Sequence, residues 1–240
     1  MNAANKDVYQ DHYENIFDRP EAVDFFAKTL APHLPDNQSI RILDIGCATG
    51  LALKALKTLG YTNVEGIDIN AAQVKTTCDR GLIAHHVEKT SAWLGAQSDS
   101  FDFIMATDVL EHMSPEEQVD TLKAIQENLA PAGQFVCTVP NANSVIASRW
   151  RYIDLTHRTS FTESSLRSLL LSAGFSRFEI TGSDPFLIFD QPNALPKKFV
   201  SSALRKFVRM TRRVELVAEL GPDEGLKIPI NINLLASASK

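Results

Sequence analysis

Short apolar runs and longer amphipathic stretches take turns along this chain from residue 40 to residue 181. Ile40, Ile42 and Leu43, with Asp44 closing the run, read as a first strand, and 63–68 (NVEGID) as a second, again ending in a carboxylate. Residues 82–87, 101–106 (FDFIMA) and 134–140 (QFVCTVP) read as the third to fifth strands. Between them, apolar positions three and four residues apart predict helices over 51–59, 71–79 and 115–129. Ser114, Pro115 and Glu117 form a capping box with proline at the first helical position. Asn70 is the natural cap of the helix at 71. The third helix is expected to stop at Pro131, Ala132 and Gly133. Strands alternating with helices predict an α/β fold, with a doubly wound sheet and helices on both faces.

Outside that block the pattern changes. Tyr9, Tyr13 and Phe17 share a helical face, and Pro20 fits the start of a helix carrying Val23, Phe26 and Leu30, ended by Pro32 and Pro35. These N-terminal helices either pack on the core or lend Tyr9 or Tyr13 to a lid. Residues 141–160 read as a loop, Thr162 as the cap of a helix over 163–173 stopped by Gly174, 178–181 as a sixth strand and 228–236 as a seventh at the sheet edge. The sheet is therefore expected to be seven-stranded, mostly parallel with an antiparallel last strand. One domain accounts for the chain: N-terminal helices over 1–38, a ligand-binding core over 39–181, a cap insertion over 182–227 and the last strand over 228–240. The insertion holds a basic amphipathic segment in which Phe199, Leu204, Phe207 and Val208 are expected to pack on the domain. A peripheral membrane or subunit contact through 197–213 is the alternative.

A length of 240 residues, 44% hydrophobic and 22% charged, suits a globular domain of ordinary composition. A formal charge of -5 argues against broad nucleic-acid binding. The polar N-terminus lacks a signal-peptide layout and no apolar run spans a bilayer, which points to the cytoplasm. Cys47, Cys78 and Cys137 form no disulfide or C-x-x-C pattern and read as buried, reduced thiols.

Candidate chemistry collects where strands end. In 41–50 (RILDIGCATG) a strand breaks into a turn bearing Gly46 and Gly50 and enters a helix, a layout that lets backbone approach a nucleotide-like ligand. The missing middle glycine disfavours a pyrophosphate and hence a nicotinamide dehydrogenase. Asp68 falls where an acid can accept from both ribose hydroxyls. Asp44, Asp68, Asp108 and Asn141 all sit near strand carboxyl ends, and His85, His86 and Glu88 are candidates for the adenine edge.

LDIGCATG, GIDIN, FDFIMATDVLEH and LAPAGQFVCTVPN, in that order, resemble the class I S-adenosylmethionine-dependent methyltransferases. The resemblance implies that Asp44, Gly46, Cys47 and Gly50 surround the methionine part of S-adenosylmethionine. Asp68 would hold the ribose, Ile69 face the adenine and Ala106 lie beside the sulfonium end, with Asp108 also among the cofactor-binding residues and S-adenosylhomocysteine left as product. Asp108, Glu111 and His112 at helical spacing, with His157 downstream, look like the E-x-x-E-H plus distant His pattern of small-RNA ribose 2′-O-methyltransferases and ubiquinone-biosynthesis O-methyltransferases. That pattern implies catalytic Glu111, His112 and His157 as ligands of a divalent metal such as Mg or Mn, with Asp108 in place of the first Glu. An L-E-H sequence also occurs in the superfamily without metal, and His157 can instead serve as a lone general base. The stretch 154–162 (DLTHRTSFT) is similar to methyltransferases of bacterial surface-polysaccharide biosynthesis and favours a sugar hydroxyl, with Arg149, Arg151, Asp154 and Arg158 near it. The expected function is O-methylation of a small-molecule hydroxyl, a sugar or glycan intermediate first. A quinone-precursor phenol, an RNA-terminal ribose and a non-catalytic cofactor-binding sensor or partner subunit remain as alternatives.

Overall fold

A computed structural model describes residues 20–184 and 195–240. Tyr9, Tyr13 and Phe17 lie outside the described residues. Helix α1 (Pro20–Leu30) leads into strand β1 (Ile42–Ile45), followed by α2 (Leu51–Thr58), β2 (Val64–Asp68), α3 (Ala71–Asp79) and β3 (Ala84–His86). Then come α4 (Thr90–Gly95), β4 (Phe101–Thr107), a 3-10 turn (Leu110–His112), α5 (Pro115–Asn128) and β5 (Leu129–Pro140). The chain continues through α6 (Ala147–Tyr152), α7 (Glu163–Ser172), β6 (Arg177–Ser183), α8 (Leu195–Leu220), α9 (Pro222–Gly225) and β7 (Asn233–Ser239).

The strands form one seven-stranded sheet in the order β3-β2-β1-β4-β5-β7-β6. Neighbours from β3 to β5 are parallel, and β7 runs antiparallel to both β5 and β6. Two apolar layers fill the faces, as expected for a doubly wound sheet. One joins Leu43, Ile45, Ile104 and Phe135 to Leu94 of α4, Leu122 and Ile125 of α5 and Leu166 and Leu170 of α7. The other joins Ile42, Phe103, Met105 and Val136 to Leu53 and Leu56 of α2 and Val74 of α3. Alternation along β4, with Phe103 and Met105 to one side and Ile104 and Ala106 to the other, ties both layers to one strand. Helix α1 lays Val23 and Ala27 on Ala55 of α2, beside the glycine turn.

Several expectations need correction. The last strand does not form the edge: β7 is inserted between β5 and β6, and β6 is the edge. It also starts at Asn233 rather than residue 228. The carbonyls before it are taken by side chains, since Ile228 O accepts from Arg213 and Pro229 O and Asn231 O accept from Asn141 Nδ2, which leaves them out of a ladder. Helix α5 ends at Asn128, close to where it was expected, but β5 begins at once at Leu129 rather than at residue 134: Leu129 pairs with Phe101 and Gln134 with Phe103, so residues 130–133 form a bulge in β5. Helices α4 and α6 were not anticipated, being short pieces with little apolar periodicity. Cys47 and Cys137 are buried, but Cys78 is exposed.

The largest correction concerns α8. Of the four residues expected to pack on the domain, Leu204, Phe207 and Val208 are exposed, Phe207 at 58%, with Met210 and Val214 beside them, and the Phe199 side chain lies outside the described residues. The basic side faces the domain instead. Arg209 pairs with Asp184, Arg212 Nε donates to Asn143 O, and Arg213 Nη1 donates to Gly225 O and Ile228 O, while Leu216 is buried. The carbonyls of Asn143, Gly225 and Ile228 outcompeted the apolar stripe for the inner face. No helix among the described residues is long and apolar enough to cross a membrane.

Candidate active site

The turn after β1 is held in place from four directions. Gly46 N–H and Cys47 N–H both donate to Ile67 O, and Ala48 N–H donates to Asp68 Oδ2 at 2.9 Å. From α3, Thr77 Oγ1 donates to Ala48 O and Arg80 Nη1 to Thr49 O, both at 2.8 Å. Gly46 adopts φ +74, and a Cβ there would stand 2.4 Å from Val109 Cγ2, so the glycine is required both by conformation and by space. Ala48 holds φ +47 without being glycine. Gly66 in β2, which drew no attention in the sequence, makes room for Cys47, since a Cβ would meet the Cys47 Cβ at 2.6 Å.

Around this turn lie the residues expected to hold the cofactor. Asp44 sits inside β1, opposite Gly66, rather than at its end, and is 2% exposed. Burial, and then the neighbouring Asp68, push its carboxyl up to about 8. Burial raises Asp68 as well, against the pull of N–H bonds from Asn70 and Ala48. Ile69 follows β2 with 70% of its surface exposed, and His86 Nε2 meets its carbonyl at 3.1 Å. His85 is spent elsewhere, on Glu65 at 3.1 Å and against Trp93. Cys47 and Gly50 line the same turn, and burial pushes the Cys47 thiol up, which leaves it inert. Ala106 is 1% exposed and packs in the core.

Asp108 and Asn141 turn out to be fasteners. Asp108 takes φ +53, and its Oδ1 accepts from Thr138 Oγ1 at 3.0 Å and Asn233 Nδ2 at 2.8 Å. Burial still raises it to about 6. Its carboxyl is not among the donor atoms that converge at Glu111, His112 and His157. Asn141 donates to two carbonyls before β7 and accepts from Asn143 N–H.

Glu111, His112 and His157 do come together. One donor atom from each lies within 4.8 Å of the others, and the two imidazoles meet edge-on with centroids 4.7 Å apart. The 3-10 turn presents Glu111 and His112, and the loop after α6 crosses it: Arg158 N–H and Thr159 N–H both donate to Glu111 O, at 2.7 and 3.2 Å. Phe161 then pairs beside Asn141, anchoring the loop to the end of β5. Glu111 is fully buried, and neither carboxylate oxygen has a hydrogen-bond partner. Burial, reinforced by Asp108, raises its carboxyl well above the usual range. Burial, and then His157, lower His112 to about 4, and burial lowers His157 against the opposing pull of Asp154. Both imidazoles are therefore neutral at pH 7. A buried carboxyl group without hydrogen-bond partners beside two neutral imidazoles is an arrangement that a cation, taking the place of the carboxyl proton, would complete.

The sequence reading missed the supports of this cluster: Thr138, Asn233, Thr156 and the carbonyl of Trp150. Asp154 followed by Thr156 is the local signal of a side chain turning back on its own loop.

A family model described as "Methyltransferase domain" matches residues 14–186. An "Ubiquinone biosynthesis O-methyltransferase" of Cereibacter sphaeroides is 28% identical over 172 residues, 65% of this chain and 68% of that protein. One of the same description from Roseobacter denitrificans is 33% identical over 111 residues, 44% of this chain and 43% of its own length. Among solved structures, a SAM-dependent methyltransferase of Archaeoglobus fulgidus superposes with a TM-score of 0.67 at 20% identity, covering 97% of this chain and 100% of that one. A Thermotoga maritima structure described as a SAM-dependent methyltransferase, possible histamine N-methyltransferase, gives 0.61 at 16% identity, covering 96% and 95%. At such identities the structures speak for the fold.

Proposed function

The chain belongs to the methyltransferase-domain family, and from that footing we propose that it moves the methyl group of S-adenosylmethionine to a hydroxyl held at Glu111, His112 and His157. Its own residues suit the cofactor. Gly46 and Gly50 supply two positive-φ positions of the turn, Asp68 stands at the strand end for the ribose, and Ile69 offers an exposed apolar face for the adenine. S-adenosylmethionine supplies an electrophilic methyl when bound.

The single observation that carries the acceptor site is the orphaned, fully buried Glu111 carboxylate beside two neutral imidazoles. One oxygen and two nitrogen donors fit Mg, Mn or Zn, and such a cation lowers the pKa of a hydroxyl it touches. The protein's contribution is to hold these donors dry and close, and to keep both imidazoles uncharged so that neither repels a cation. A phenol with an adjacent oxygen, as a quinone precursor has, is the acceptor we favour; the relatives are described as enzymes of ubiquinone biosynthesis. The chain spans only part of their length, so the activity rests on the site.

A second reading has its own observation. His157 Nε2 lies 3.7 Å from Asp154 Oδ2, which would stabilise an imidazolium if His157 took the hydroxyl proton unaided. Methyl transfer to a catechol, a lone phenol and a sugar panel, with and without Mn2+ or chelator, separates the two. The metal reading expects catechol turnover that chelator removes and that Glu111→Gln lowers at least ~100-fold with S-adenosylhomocysteine binding intact. Chelator-insensitive turnover, kept in Glu111→Gln and lost in His157→Ala, would contradict it. Turnover confined to sugars would overturn the phenol.

A further inference from the structure

The two imidazoles are held by different partners, and on both rings the hydrogen bond is made at Nδ1. Asp154 Oδ1 accepts from Thr156 N–H at 2.7 Å and from Thr156 Oγ1 at 2.8 Å. A hydroxyl has one proton, and this one is committed to the carboxylate. The 2.8 Å contact between Thr156 Oγ1 and His112 Nδ1 therefore runs the other way, with Nδ1–H donating to the hydroxyl oxygen. On His157 the partner of Nδ1 is the carbonyl of Trp150 at 3.1 Å, which can only accept. Each ring thus carries its proton on Nδ1 and keeps a lone pair on Nε2. The second oxygen of Asp154 stands 3.7 Å from His157 Nε2, so one carboxylate faces His157 directly and reaches His112 through the Thr156 hydroxyl.

We propose that Asp154 and Thr156 are positioning residues that lock His112 as the Nδ1–H tautomer, so that the cluster offers two Nε2 lone pairs beside the Glu111 carboxylate. This rests on the reading of Glu111, His112 and His157 as the acceptor and cation site, and it goes further by assigning the tautomer and what sets it. The logic is directional. Without the Asp154 acceptor, the Thr156 hydroxyl is free to rotate and donate to His112 Nδ1, which would move the imidazole proton to Nε2 and close the lone pair that a ligand needs. Without the hydroxyl, His112 keeps only its bond to the Thr156 backbone, and the Oγ1 contact that holds Nδ1 is lost. In metal sites a partner on the far nitrogen of a histidine is what fixes its orientation and basicity, and its loss costs about 10- to 100-fold in affinity.

The test is imidazole nitrogen NMR on the metal-free full chain, followed by titration with manganese chloride. Wild type is expected to show His112 and His157 both as Nδ1–H. Thr156→Val is expected to give His112 as a tautomer mixture, and Asp154→Ala to shift it towards Nε2–H. Thr156→Ser, which keeps the hydroxyl, should restore the wild-type pattern. Manganese affinity should fall about 10- to 100-fold in Thr156→Val and recover in Thr156→Ser, with S-adenosylhomocysteine binding unchanged as the check on folding. A wild-type His112 spectrum in Thr156→Val would overturn the proposal, as would equal loss of manganese and S-adenosylhomocysteine binding. Failure of wild type to bind manganese would overturn the cation reading alone, and the tautomer pattern would still decide the positioning.

Discussion

Burial beside Asp68 holds the Asp44 carboxyl at about 8, so the ligand-free chain carries it mostly protonated at pH 7. With the folded value above the unfolded one of 3.8, its contribution to stability is complete below about pH 4 and is lost as pH rises through 8. His112 has the opposite sign. Its pKa falls from 6.5 to about 4, so its contribution is complete above 6.5 and is lost as pH falls towards 4. Thermal melts of Asp44→Asn should therefore lose the decline between pH 5 and 8 that wild type shows from this group. A cationic amino group arriving at Asp44 would favour the carboxylate, so S-adenosylhomocysteine binding at pH 7 should release up to one proton. Calorimetry in buffers of different ionisation enthalpy reads that release, and Asp44→Asn should abolish it. Equal proton release in both proteins would separate Asp44 from the methionine end of the ligand.

At the scale of elements, what the sequence reveals is what local chemistry decides. Ser114, Pro115 and Glu117 start α5 where the capping box places it, Asn70 caps α3, and Gly174 follows α7 in a left-handed conformation. The glycine turn was equally legible because Gly46 answers a backbone demand. Long-range competition was not legible. The position of β7 depends on Asn141 taking two carbonyls at 229 and 231, and the orientation of α8 on Arg212 and Arg213 finding carbonyls of the domain. The same limit hid the role of Asp108, whose partners lie 30 and 125 residues away. The orientation of α8 can be checked directly. Phe207→Ser should change stability by less than about 0.5 kcal/mol, because the side chain is already in water. Leu216→Ala, which is 7% exposed in the wild type, should cost about 2–5 kcal/mol in denaturant unfolding. The reverse order would mean that the apolar stripe faces the domain.

For the molecule as a whole, the sheet brings the glycine turn and the Glu111 cluster to one end, where Val109 packs on Gly46, and ties each to different further elements. The turn after β1 is clamped by β2 and α3, and the cluster after β4 is clamped by the loop beyond β5 and, through Asp108 and Asn233, by the last strand. Cofactor binding and cluster chemistry should therefore be separable by mutation, as a transferase with distinct donor and acceptor sites requires. The most direct measurement is calorimetric titration of manganese chloride into the S-adenosylhomocysteine-loaded chain, wild type against Glu111→Gln. The account predicts one site per wild-type chain, with micromolar affinity of roughly -8 kcal/mol, weakened at least ~10-fold in Glu111→Gln while S-adenosylhomocysteine still binds. No manganese binding by wild type, or identical binding by Glu111→Gln, would contradict it.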